Sequence, residues 1–112
     1  MSKTGKKCFI VTHMCFIGET PFDEVLSDRD IMTVCKTFED ANEFIDEQIQ
    51  HNVDAYDREN GKGVITHEVK RPEFFEGRSV EVLFHDTKDN KKWLWTYDIF
   101  ERTMYVPKKK KS

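Results

Sequence analysis

One stretch of this chain, TFEDANEFIDEQIQ at residues 37–50, carries a clear helical period, while the other apolar segments read as strands. Ala41, Phe44, Ile45, Gln48 and Ile49 recur at helical spacing, so the apolar members form one stripe. Thr37 stands where an N-cap is wanted, and Asp40 three residues on closes a capping box, with aspartate in place of the usual glutamate. Glu39, Asp40, Glu43, Asp46 and Glu47 take the other face and the first turn, where the helix dipole favours acids. The pattern predicts a helix over about 38–50, or somewhat further, packed on a sheet through Phe44 and its neighbours. A single helix among strands restricts the fold to α+β, and 112 residues suffice for one core without staples.

The strands set the rest of the layout. CFIVTHMCFI (8–17) is apolar at nearly every position and rich in β-prone residues, which predicts a central strand buried on both faces. GETPFDEVLSDRD reads as a loop, with Gly18 and Pro21 as breakers, and IMTVCK (31–36) as a second strand. Beyond the helix, 54–63 is a polar, turn-forming connection, and 64–70 a half-buried strand ended by Pro72. SVEVLFH (79–85) alternates, with Val80, Val82 and Phe84 on one side and Glu81, Leu83 and His85 on the other. DTKDNK supplies a turn, and KKWLWTYDIFERTMYV (91–106) returns as the hairpin partner. The expected fold is an antiparallel sheet of about five strands with one main helix on one face, in the order β-β-α-β-β-β. It occupies residues 8–106, between a flexible amino terminus (1–7) and a basic tail (107–112).

The last strand carries five of the fourteen aromatic residues, and its alternation puts Trp93, Trp95, Tyr97 and Ile99 on one face. Either this row fills the core under the helix, or it is exposed beside Lys91 and Lys92 as a stacking platform for nucleic-acid bases. The core reading is preferred, because a one-helix domain needs large side chains to bury enough area. Apolar positions change phase from Phe100 onward, which predicts a bulge or bend near 99–101.

Reactive constellations are sparse. His13 and Cys15 lie two apart on one strand, as a Cys–His nucleophile pair would, but no nucleophile elbow, glycine turn or third group accompanies them. Cys8, Cys15 and Cys35, with His13, His67 or His85, lack the close ligand pair that structural zinc sites favour. The acids Asp23, Glu24, Asp28 and Asp30 do not follow a calcium loop, and Gly61 and Gly63 sit in a turn rather than a phosphate cradle. No catalytic residue, metal ligand or cofactor is therefore expected. Three cysteines in apolar surroundings suit reduced, buried thiols. No apolar run approaches the roughly 18 residues of a membrane span, and Thr12 and His13 break the apolar segment that follows the first lysines. The reading is an intracellular protein, cytoplasmic or nuclear, with no membrane partner.

Charge is divided along the chain. Residues 19–60 hold thirteen acids against three bases, and the remainder eight acids against fifteen bases. This division favours charged partners over a neutral ligand. The leading expectation is a small non-enzymatic protein–protein interaction module of adaptor or inhibitor type. It would dock another protein, a basic one, through Glu39, Asp40, Glu43, Asp46, Glu47 and the acidic loop, or through a sheet edge, where a homodimer could also form. The alternative is a single-stranded nucleic-acid binder using Trp93, Trp95, Tyr97, Lys91, Lys92 and the basic carboxyl half. Lys108, Lys109, Lys110 and Lys111 after Pro107 resemble a nuclear localisation signal, with a solvated tail as the plainer reading.

The opening strand with Val11-Thr12-His13, the second strand, and a helix beginning Phe38-Glu39-Asp40-Ala41-Asn42 together resemble small uncharacterised fungal proteins with the same β-β-α-β-β-β layout. The resemblance implies that architecture and carries no activity with it.

Overall fold

A computed structural model describes residues 5–18, 24–72 and 78–105, with side chains described outside 24–29 and 104–105. The elements are β1 (Gly5–Ile17), β2 (Glu24–Cys35), α1 (Phe38–Asn60), β3 (Ile65–Lys70), β4 (Ser79–Asp86) and β5 (Lys91–Tyr105). All strand pairs are antiparallel, and the sheet order is β2-β1-β5-β4-β3. The expected α+β layout is thus present, with α1 lying across one face of the sheet.

Cross-strand partners project to the same side of a sheet, so the register assigns every side chain to a face. Val11, His13 and Cys15 of β1 share the helix-covered face with Ile99, Tyr97 and Trp95 of β5, their direct partners. Val80, Val82 and Phe84 of β4 continue that face opposite Tyr97, Trp95 and Trp93. Ala41, Ile45 and Ile49 close the core from above, with Phe38, Phe44, Val53 and Tyr56 packed around them. Each large apolar side chain buried in this way contributes about 1.5–3 kcal/mol. β1 is buried on both faces over Val11–Phe16 in the alternating pairs Val11, Thr12 and Cys15, Phe16, as an internal strand should be.

Four local expectations are corrected. β2 begins at Glu24, not near Ile31, because residues 24–30 zip against the second half of β1 and lengthen the hairpin. As an edge strand it tolerates the acids that made this stretch read as a loop. The helix continues to Asn60 because Val53 and Tyr56 extend the apolar stripe through what looked like a polar connection. It stops at Gly61, where φ is +99° and the amide donates to the Asp57 carbonyl at 3.0 Å. β3 is not half-buried: Ile65 alone is buried and the rest is exposed, since the strand forms the other sheet edge. No bulge interrupts β5 near Ile99, whose pairing with β1 is continuous from Gly5↔Tyr105 to Ile17↔Trp93. The apolar phase changes there because the covering changes: Glu101, on the helix side, is held by Lys7 and Arg78 instead of meeting the helix.

The register shifts fall in β2 instead. Its pairing with β1 slips between Val11 and Thr12, between His13 and Cys15, and between Cys15 and Phe16. One consequence concerns Thr12, which faces away from the helix, is 4% exposed, and has a hydroxyl without a hydrogen-bond partner. A buried polar group left unpaired is destabilising by about 1–3 kcal/mol, and valine keeps its shape. Thr12→Val should therefore raise stability by about 1 kcal/mol and Tm by about 4–8 °C. A thermal melt showing a lower Tm would mean that the hydroxyl has a partner after all.

Candidate docking surfaces

The capped start of α1 fixes the orientation of its acids. Thr37 Oγ1 accepts from the Asp40 amide at 3.0 Å, so the first turn begins with the apolar stripe turned to the sheet. Glu39, Asp40, Glu43, Asp46 and Glu47 are consequently all exposed on the opposite side. The helix carries eight acids and one arginine, for a net charge of −7. Only Asp46 has an ion-pair partner among the described residues, Arg71 at 2.8 Å, whose second nitrogen donates to Asn42. Asp54 accepts from Gln50 at 2.9 Å and extends the same acidic surface by two turns. Reading the helix as ending near residue 50 left Asp54 out of this surface. The acidic loop residue Asp23 lies outside the described residues, and the side chains of Glu24 and Asp28 are likewise outside them.

The aromatic row takes the helix-covered side. Tyr97 is 1% exposed, and its phenol oxygen accepts from Asn52 Nδ2 at 3.4 Å. Burial pushes its pKa well above the usual phenol range. As a stacking platform Tyr97 is a correction: no base reaches a ring buried beneath α1. Trp93 and Trp95 are half-buried around Phe84 and Tyr56, with Trp93 stacked on Phe84 at 5.7 Å and Tyr56 edge-on to Phe84 at 5.1 Å. Lys91 is exposed at the strand start, while Lys92 projects to the face opposite Trp93. Lys108 to Lys111 lie outside the described residues.

His13 and Cys15 do share a face, in an aromatic setting. His13 sits edge-on to Trp95 at 5.0 Å and tilted on Tyr97 at 4.9 Å, and its Nε2 is buried without a hydrogen-bond partner. Burial raises the Cys15 thiol pKa, partly offset by a hydrogen bond from Trp95, which moves it away from the nucleophilic thiolate. Cys8 faces the other side of the sheet, opposite Arg102. Among the described residues no three His, Cys, Asp or Glu side chains converge on a common point.

Burial lowers the pKa of His13, with the Asp30 carboxylate opposing this in part. The folded protein then binds fewer protons here than the unfolded chain, so the contribution of His13 to stability is complete above about pH 6.5. It is lost as pH falls below that value and through the depressed folded pKa. Urea midpoints should decline as pH falls below about 6.5, and His13→Phe, which keeps the ring packing, should flatten the decline. An unchanged slope in that variant would place the acid sensitivity elsewhere.

The two sheet edges differ. The three slips in β2 twist its outer edge, a device that discourages strand addition. β3 pairs with β4 without a slip, but is short and carries Glu68 and Lys70, which pair with each other at 3.5 Å. No described helix is long and apolar enough to cross a membrane.

No protein-family model matches this chain, and neither a curated protein nor a solved structure matches it. The geometry alone carries the functional argument.

Proposed function

We propose that this protein is a non-enzymatic protein-binding module that docks a basic partner on the outer face of α1. The observation that carries this reading is a helix of net charge −7 whose acids are exposed except for the half-buried Asp57, with only Asp46 ion-paired among the described residues. A surface of one sign leaves a field that steers an oppositely charged protein and fixes its register. The rigid sheet beneath holds the acids in a fixed array, so binding orders little of the module itself. Edge docking draws less support, since β2 is bulged and β3 short. The nucleic-acid alternative also draws less, since its aromatic row is engaged on the helix side. The raised Cys15 thiol favours packing over nucleophilic chemistry. The reading is tested by charge reversal at Glu43 and Glu47, with a lysine-rich peptide as probe and its affinity as the readout.

A further inference from the structure

The face turned away from α1 holds a second surface of opposite character. Ile10, Thr12, Ile31, Phe100 and Arg102 line a shallow hollow there, assembled from three adjacent strands. Ile31 is 68% exposed and Val34, opposite Ile10, is 51% exposed, high values for aliphatic side chains on a sheet. Isolated apolar residues on a surface need no explanation, but a contiguous group does. The slip between Val11 and Thr12 makes the group contiguous: Val34 and Ile31, three residues apart, both land on the far face, with Met32 between them.

Cations border one end of this patch. Arg102 lies over the Phe100 ring at 5.3 Å and donates to the Glu101 carbonyl at 2.8 Å. Lys6, Lys7 and Lys36 line the adjoining hollow with Cys8, Val34 and Cys35. Lys6, Lys36 and Arg102 make no ion pair with a described acid, whereas Lys7 and Arg78 are both held by Glu101. The far face therefore offers aliphatic area bordered at one end by three cations with no ion-pair partner among the described residues, with the Asp98 carboxylate, opposite Thr12, on the same face.

We infer that this face is a second docking surface and that its occupant is an acidic peptide segment of another protein carrying apolar side chains. Charge complementarity decides among occupants. A second copy placed face to face would set one patch of net positive charge among its described residues against another, which repels. Nucleic acid would satisfy the cations and leave Ile10, Ile31 and Val34 unmatched, since phosphate backbones present charge and no aliphatic side chains. An acidic amphipathic segment satisfies both, with apolar residues over the hollow and carboxylates reaching the rim. With α1 acidic on one side and this patch basic on the other, the module would bridge two partners of opposite charge.

The test uses the full-length protein and a fluorescein-labelled peptide of roughly twelve residues alternating glutamate with leucine and valine, long enough to cross the patch as a strand. Fluorescence anisotropy should show saturable binding that weakens about tenfold or more in Lys36→Glu/Arg102→Glu, and comparably in Ile31→Asp. An all-glutamate peptide should bind about tenfold more weakly than the mixed one, because it lacks the apolar contacts. Ile31, Lys36 and Arg102 are exposed, so unchanged circular dichroism and Tm separate loss of binding from loss of fold. Equal affinity for wild type and variants would overturn the inference. So would preference for single-stranded RNA or anionic vesicles over the peptide, or a wild-type dimer that Ile31→Asp makes monomeric. Charge reversal on α1 should leave this binding intact, so its outcome is separate from that of the acidic helix surface.

Discussion

Phe84→Ala should be among the most destabilising single substitutions in this protein, with a loss of about 3–5 kcal/mol. Phe84 is 1% exposed and touches four rings: Tyr56, Trp93, Trp95 and His67, with centroids 5.1 to 6.2 Å away. Removing it opens a cavity beneath the end of α1 and strips Trp93 of its stacking partner at the same time. Small domains are stable by only about 5–15 kcal/mol, so this change could consume half of the total. Ile31→Ala, at a highly exposed position on the far face, should by contrast stay within about 0.5 kcal/mol of wild type. Urea titrations followed by tryptophan emission compare the two directly. The emission of folded Phe84→Ala should also shift to the red as water reaches Trp93. A Phe84→Ala loss below about 1 kcal/mol would mean that the aromatic cluster is not the core.

Glu43→Lys/Glu47→Lys should leave stability nearly unchanged while weakening the binding of a lysine-rich peptide by about 10- to 100-fold at low salt. The two positions are one helical turn apart on the exposed side and have no ion-pair partner among the described residues. Reversing both moves the helix from −7 to −3 and places two cations at the centre of the acidic array. The wild-type affinity should fall as ionic strength rises and the Debye length shrinks toward a few ångströms, and the variant should show a shallower dependence. Glu68→Lys, on the sheet face turned away from α1, is the control and should leave binding nearly unchanged. If Glu68→Lys weakens binding as much as the helix pair does, the peptide responds to net charge and not to the helix surface.

The sequence was legible where local pattern and tertiary role agree. Val80, Val82 and Phe84 alternate because one face of β4 is core and the other is not, and Thr37 caps a helix whose stripe faces the sheet. It misled where a neighbour decides. Asp28 and Asp30 argue for a loop until the second half of β1 is there to pair with that segment. Asp54, Asp57 and Glu59 argue for a turn until Val53 and Tyr56 are seen to meet the core. The candidate surfaces divide in the same way. The acids on α1 were readable because a helix repeats its face regularly, whereas the far-face hollow joins Ile10, Ile31 and Phe100 from three strands. No period in the sequence links those three, and a slip in β2 sets which of its side chains reach that face. The phase change after Ile99 was a real signal with the wrong cause assigned: it marks where the helix stops covering the sheet.

The most direct test of the acidic docking surface is a two-dimensional ¹⁵N–¹H titration of the full chain with a lysine-rich peptide. Shifts should concentrate at Glu39, Asp40, Glu43, Glu47 and Asp54, and should disappear in Glu43→Lys/Glu47→Lys. Shifts spread evenly over the surface, or centred on Trp93 and the β5 strand, would contradict it.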